Sequence, residues 1–224
     1  MDPDEVGAAP PAGVLLAAGG GSRFGRPKAL VTLHGESLVE RGVRLLTRAG
    51  CRPVAVVVGA DAKAVTAVLR GSPVDVVVND DWRSGMGGSV RAGLSAVRRT
   101  DAPALIIALV DQPLVAPQAV RRLTAAWRAG AVIAAATYGG RARTPVLFDA
   151  RAWDAVDRTA VGDEGARALL RDRADWVEPV ACDDVASPRD IDTEHDLCAL
   201  TTEPDPNPRP VGGRAATKEQ QQWN

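Results

Sequence analysis

Three short polar clusters carry the residue types that chemistry on phosphates requires. The first reads Leu16-Ala17-Ala18-Gly19-Gly20-Gly21-Ser22-Arg23-Phe24-Gly25-Arg26-Pro27-Lys28. Glycines let backbone amides approach a phosphate closely, and Arg23 and Lys28 bring positive charge into the same turn. Cations crowded into one tight turn repel one another unless an anion lies between them. The lysine is informative in itself, because among 27 basic residues only Lys28, Lys63 and Lys218 are lysine. A compact ammonium on a flexible stem suits a phosphate charge, whereas arginine presents a planar fork. The spacing is not the dinucleotide G-x-G-x-x-G, since counting from Gly19 puts Phe24 where the third glycine belongs. Nor is it the Walker loop, since Arg26-Pro27 follows Gly25 where Lys-Ser/Thr is required. A dinucleotide-dependent oxidoreductase is disfavoured on that ground. The second cluster spans Asn79 to Ser89, with Trp82 inside it, and the third is Asp111-Gln112-Pro113.

The elements between these clusters alternate. Apolar runs predict buried strands over Gly13–Ala18, Val54–Val58, Val74–Val78, Ala104–Val110 and Val132–Thr137. Helical periodicity predicts helices over Ser37–Ala49, Ala62–Arg70, Gly88–Arg99 and Pro117–Arg128. Strands alternating with helices of this length imply βαβ units and a mainly parallel sheet. Strands apolar at nearly every position, such as Val54-Ala55-Val56-Val57-Val58, suit a sheet covered on both faces. After Tyr138 the rhythm changes. Gly139–Phe148 predicts a hairpin, Asp163–Leu170 a helix, Trp176–Val180 a strand, and Thr193–Leu200 a closing helix capped by Thr193. In such a sheet ligands sit at the carboxyl ends of the strands, and all three polar clusters fall there.

Composition narrows the function classes. Lys+Arg at 27 against Asp+Glu at 28 argues against a generally basic nucleic-acid binder and a polybasic membrane anchor, though not against a local basic pocket. No apolar run approaches the roughly 20 residues of a membrane helix. Cys51, Cys182 and Cys198 are odd in number and form no CxxC pair, so they read as small, buried or partly buried hydrophobes in a reducing cytoplasm. Residues 1–12 and 201–224 are rich in Ala and Pro, or in Pro and Gln, and are expected to be disordered around a folded unit over 13–200.

Taken together, the first loop, Asn79 with Trp82, Gly85-Met86 and Ser89, Leu109-Val110-Asp111-Gln112-Pro113, Gly162-Asp163-Glu164-Gly165-Ala166-Arg167, and Asp190-Ile191-Asp192-Thr193 resemble one family. They are similar to the MobA-like NTP transferases, and most like their molybdenum cofactor cytidylyltransferases. The family's Gly-His or Gly-Asn before Pro-Val-Leu-Phe is Arg143-Thr144 here.

The resemblance implies a three-layer, Rossmann-like α/β fold with a small hairpin insertion. It implies transfer of CMP from CTP to the phosphate of molybdopterin, with release of pyrophosphate. Guanylyl transfer, a different phosphorylated acceptor and a non-catalytic cofactor-handling module remain alternatives. Arg23, Lys28 and Asp111 would be catalytic. The loop Leu16–Ser22, with Arg23, Lys28, Asn79 and Ser89, would hold the nucleotide. Asp111 with Asp190 or Asp192 would bind Mg²⁺, which keeps waters and needs few carboxylates. Gln112, Pro113, Thr144 and Asp163 would contact the pterin-type acceptor, and a molybdoenzyme or its chaperone would be a transient partner. Each of these polar residues can also serve as a turn or cap residue, Asp111 before Pro113 and Asp190 or Asp192 at the last helix.

Overall fold

The computed structural model describes residues 9–209. In chain order the strands are β1 (Ala12–Ala17), β2 (Thr32–Leu33), β3 (Glu36–Ser37), β4 (Val54–Val58), β5 (Asp75–Val78), β6 (Ala104–Leu109), β7 (Ile133–Tyr138), β8 (Arg141–Asp149) and β9 (Val177–Ala181). The helices are α1 (Leu38–Arg48), α2 (Ala62–Val68), α3 (Met86–Val97), α4 (Pro117–Arg128), α5 (Trp153–Thr159), α6 (Arg167–Asp172) and α7 (Glu194–Thr201).

Seven strands form one sheet in the order β5-β4-β1-β6-β8-β7-β9. Only β8 runs against its neighbours. Every residue of β1 and β4 is buried, as the unbroken apolar runs require of strands covered on both faces. One face packs side chains of α1, α2 and α4, among them Val43, Val65, Leu123 and Trp127. The other packs α3, α5 and α6 through Val90, Leu94, Val156 and Leu169. The result is three layers, with β1 and β6 in the middle of the sheet. Gly93 lets α3 lie on β1, because a Cβ there would meet the Val14 side chain at 2.5 Å. A capping box between Ser37 and Glu40 starts α1, and a second between Thr193 and Asp196 starts α7.

Several expectations need correction. The hairpin expected over Gly139–Phe148 is present, but its first strand starts at Ile133. Gly139-Gly140 is the turn between β7 and β8, both long strands of the main sheet, because their apolar residues complete the core. The helix expected over Asp163–Leu170 begins at Arg167, after a short 3-10 turn over Gly162–Glu164. The N-terminal boundary moves as well, since Ala12 already pairs with Leu105. At the other end, residues 205–208 are packed against α1, with Asn207 buried. Polar pairing with arginines, rather than apolar burial, holds them. Residues 1–8 and 210–224 lie outside the described residues. Cys51 and Cys182 are buried as expected, but Cys198 is exposed. No helix among the described residues is long and apolar enough to cross a membrane.

Candidate active site

The carboxyl ends of β1, β4, β5 and β6 open onto one edge of the sheet, and the loops that follow them meet there. The glycine loop after β1 folds back on itself, with the Phe24 and Gly25 amides donating to the Gly21 carbonyl at 2.8 and 2.9 Å. Phe24 turns inward to a small cluster with Val31, Leu33, Leu38, Leu114, Ile191 and Leu200. That cluster ties α7 to the glycine loop and fixes the segment that carries Asp192. Ile191 is fully buried, and its amide donates to the Asp111 carbonyl at 2.8 Å. Asp111 and Asp192, distant in sequence, are thereby brought together.

Lys28 lies between them. Its Nζ donates to Asp111 Oδ2 at 2.9 Å and to Asp192 Oδ1 at 2.5 Å. Burial pulls the Lys28 ammonium toward its neutral form, but the two carboxylates outweigh burial and leave its pKa above the ordinary value. Arg23 joins from the solvent side, 3.2 Å from Asp192.

These residues line a cavity of about 540 Å³ together with Leu16, Ala18, Gly19, Gly21, Ser22, Trp82, Arg83, Met86, Ser89 and Asp163. Trp82 is set by close packing: a Cβ at Gly20 would meet its ring at 2.9 Å, and one at Gly59 would meet its Cβ at 2.6 Å. Ser89 is held by Asn79, whose Nδ2 donates to the Ser89 hydroxyl at 3.0 Å.

A second cavity of about 450 Å³ shares the wall formed by Leu16, Met86 and Leu109. Its floor is apolar, with Val90, Ile107, Val146, Phe148 and Leu170, and its rim carries Arg143, Arg167 and Arg189. Gln112 ties this side together. Its Nε2 donates to the Pro188 carbonyl at 3.2 Å and to Asp190 Oδ1 at 2.9 Å, and its Oε1 accepts from the Thr144 hydroxyl at 2.5 Å. Burial pushes the Asp190 carboxyl above the usual carboxylate range, against the hydrogen bond from Gln112.

The sequence-based site is therefore mostly assembled, with several residues relocated. Asp192 stands beside Lys28 and Asp111, while Asp190 faces the second cavity. Asp163 lines the first cavity rather than the second, because the turn at Gly162 folds against Gly85. Pro113 lines neither cavity. Its carbonyl faces Arg41 of α1 at 3.4 Å, behind the loop. Asn79 braces Ser89 rather than lining the first cavity, and the Ala17 side chain turns into the core. Met86, Arg143, Arg167 and Arg189 had not been singled out as site residues. The run of arginines around Thr144 was the available signal for Arg143.

Asp111 and Asp192 offer carboxylate oxygens to a divalent cation, which takes few protein ligands, once the Lys28 ammonium moves off them. Among the described residues no group of three His, Cys, Asp or Glu side chains offers a fuller cage.

The model of the MobA-like NTP transferase domain matches residues 13–179. A nicotine blue oxidoreductase of Paenarthrobacter nicotinovorans is 40% identical over 196 residues, covering 84% of this chain and 95% of that protein. A molybdenum cofactor guanylyltransferase of Rhodobacter capsulatus is 31% identical over 167 residues, covering 71% and 79%. Among solved structures, Rv0371c from Mycobacterium tuberculosis H37Rv superposes with a TM-score of 0.78 at 29% identity, covering 88% of this chain and all of that one. The same protein has been solved in complex with manganese, with a TM-score of 0.73 to this chain.

Proposed function

The chain belongs to the MobA-like NTP transferase family, and from that premise we propose that it transfers CMP from CTP to the phosphate of molybdopterin. The observation that carries this reading is Lys28, lodged between Asp111 and Asp192 at the foot of the glycine loop. An acceptor phosphate oxygen attacks the α-phosphorus of the nucleotide. The new oxygen–phosphorus bond replaces the bond to the β-phosphate, and pyrophosphate leaves with that electron pair. Both reactants are anionic, so alignment and charge stabilisation carry most of the rate enhancement.

The residues divide the work. The glycine-loop amides and Arg23 bind the triphosphate, and Lys28 stabilises the charge that develops on the departing pyrophosphate. Asp111 and Asp192 would hold the magnesium ion, which when bound supplies positive charge against the phosphate oxygens. Ala18, Trp82 and Ser89 bound the space for the base and sugar. The second cavity takes the acceptor ring on its apolar floor and directs the phosphate over the Leu16–Met86–Leu109 wall. No nucleophilic side chain is required.

A pyrophosphate-release assay with each of the four NTPs, Mg²⁺ and a panel of phosphorylated acceptors tests the reading. Release that needs both CTP and molybdopterin supports it, and preferential use of GTP overturns the cytidylyl assignment.

One observation favours a second reading. The relative at 40% identity over almost its whole length is named an oxidoreductase, so the second cavity would on that view hold a flat acceptor for reduction. Oxidation of a reduced nicotinamide by a planar dye, without pyrophosphate release, would favour it over the transferase.

A further inference from the structure

Arg41, Arg44 and Arg48 lie three and four residues apart on α1 and so share one face of the helix. That face grips the C-terminal segment. Arg41, only 4% exposed, makes a two-pronged pair with Asp205, at 2.9 Å from Nη1 and 2.7 Å from Nη2. Arg44 pairs with Glu36 at 3.0 and 2.5 Å and donates to the Asn207 carbonyl. Arg48 donates to Asn207 Oδ1 at 3.0 Å and to the Pro208 carbonyl at 2.7 Å. The Asn207 amide closes the turn by donating to Asp205 Oδ1 at 2.8 Å.

Nη2 of Arg41, which donates to Asp205, also reaches the Pro113 carbonyl, two residues beyond Asp111. Asn207 and Arg41 meet Val110, Gln112 and Pro113 around a void of only about 10 Å³, too small to hold more than a single water. The C-terminal segment is thus packed directly behind the loop that presents Asp111.

We propose that residues 205–208 form a positioning element for the cation site, acting through Arg41 on the loop that carries Asp111. The inference rests on the reading of Asp111 as a ligand for the divalent cation. A buried guanidinium is tolerated only with its carboxylate partner. Without Asp205, Arg41 is drawn to Glu36, 3.8 Å away, or out to water, and the Pro113 carbonyl loses its donor. The loop stays tied on its other side by the Ile191 amide and by Gln112. Asp111 is therefore displaced rather than released, and removing such a supporting contact typically costs about 10–100-fold in metal affinity.

The test compares the full chain with chains ending after Arg209 and after Pro204, and with Asp205→Asn. The readouts are Mn²⁺ affinity by electron paramagnetic resonance without nucleotide, and amide exchange over residues 110–115 and 189–193. The chain ending after Arg209 should match the full chain. The chain ending after Pro204 and Asp205→Asn should bind Mn²⁺ about 10-fold more weakly and exchange faster in both segments. A lower melting temperature with unchanged Mn²⁺ affinity and exchange would reduce the segment to a structural strap and overturn the proposal. Should the shorter chain fail to fold, Asp205→Asn decides alone. A full chain that binds no Mn²⁺ without nucleotide overturns the proposal, and one that binds none with nucleotide either overturns the role of Asp111 as a ligand as well. Faster exchange in the variants would then show the joint alone.

Discussion

Lys28→Ala separates the catalytic role of the loop lysine from its structural one. In the resting protein the ammonium bridges Asp111 and Asp192 at 2.9 and 2.5 Å and offsets part of their charge. Deleting it leaves two carboxylates roughly 5 Å apart, which repel by about 3 kcal/mol at an effective dielectric of 20. The Asp192 side chain is 43% exposed, so solvent screening reduces the cost to about 1–2 kcal/mol. For a chain of this size that corresponds to a fall in melting temperature of about 2–8 °C. A folded variant should nonetheless lose about 10²–10³ in kcat, the scale of one preorganised charge aimed at a leaving group. Mg²⁺ should raise the melting temperature of the variant more than that of the parent, because the unneutralised carboxylate pair now offers the stronger cation site. Pyrophosphate release and calorimetry with and without Mg²⁺ measure both effects. Turnover within a few-fold of the parent, together with no extra stabilisation by Mg²⁺, would refute the argument.

Asp111→Asn should require more Mg²⁺ for half-maximal pyrophosphate release, because the amide loses the charge that holds a hard cation; an unchanged titration removes Asp111 from the metal site. Arg143→Ala should raise KM for a phosphorylated acceptor by about 10–100-fold, the value of a hydrogen bond to a charged group, and leave KM for CTP unchanged. Ala18 is 5% exposed and lies against Gly59 and Trp82 on the first cavity wall. Ala18→Gly should therefore shift preference from CTP toward GTP by up to about 10-fold, the effect of one methyl in a base pocket, as read by parallel assays with both nucleotides. Burial pushes the Asp205 carboxyl up, but the hydrogen bonds from Arg41 outweigh it and hold the group below its ordinary value of 3.8. Its stabilisation is thus present above 3.8 and lost as the pH falls through the lowered folded value. The difference in melting temperature between the parent and Asp205→Asn should be present at neutral pH and close in acid; a gap that persists under strong acid contradicts the pairing.

Strands β1, β4 and β6 were legible because their burial on both faces leaves no polar position to blur the pattern. Val54–Val58 matches the expected bounds, and the first strand differs by one residue at each end. The loops at the carboxyl ends followed from that, and with them Arg23, Lys28 and Asp111. What stayed hidden depended on contacts between distant segments. The hairpin of β2 and β3 has only two residues in each strand, too few for alternation to register, and its turn is marked only by His34-Gly35, both at positive φ. Asp190 and Asp192 were inseparable in sequence because they flank Ile191. Only the docking of Ile191 into the cluster with Phe24 and Leu38 sends Asp192 to Lys28 and leaves Asp190 with Gln112.

The C-terminal segment shows the same limit from the other side. Its alternating prolines and polar residues announce a chain with little apolar surface to bury, and the inference of disorder follows from that alone. Residues 205–208 are nevertheless seated, because their partners are charges rather than a hydrophobic face. The signal lay on α1: Arg41 falls among Leu38, Val39, Gly42 and Leu45 on the buried side of the helix. An arginine there needs a carboxylate from elsewhere in the fold. Glu36 is held closely by Arg44 and stands 3.8 Å from Arg41, which leaves the Arg41 fork without a two-pronged partner inside the domain. Asp205 is that partner, and its arrival at Arg41 brings the end of the described chain to the back of the Asp111 loop.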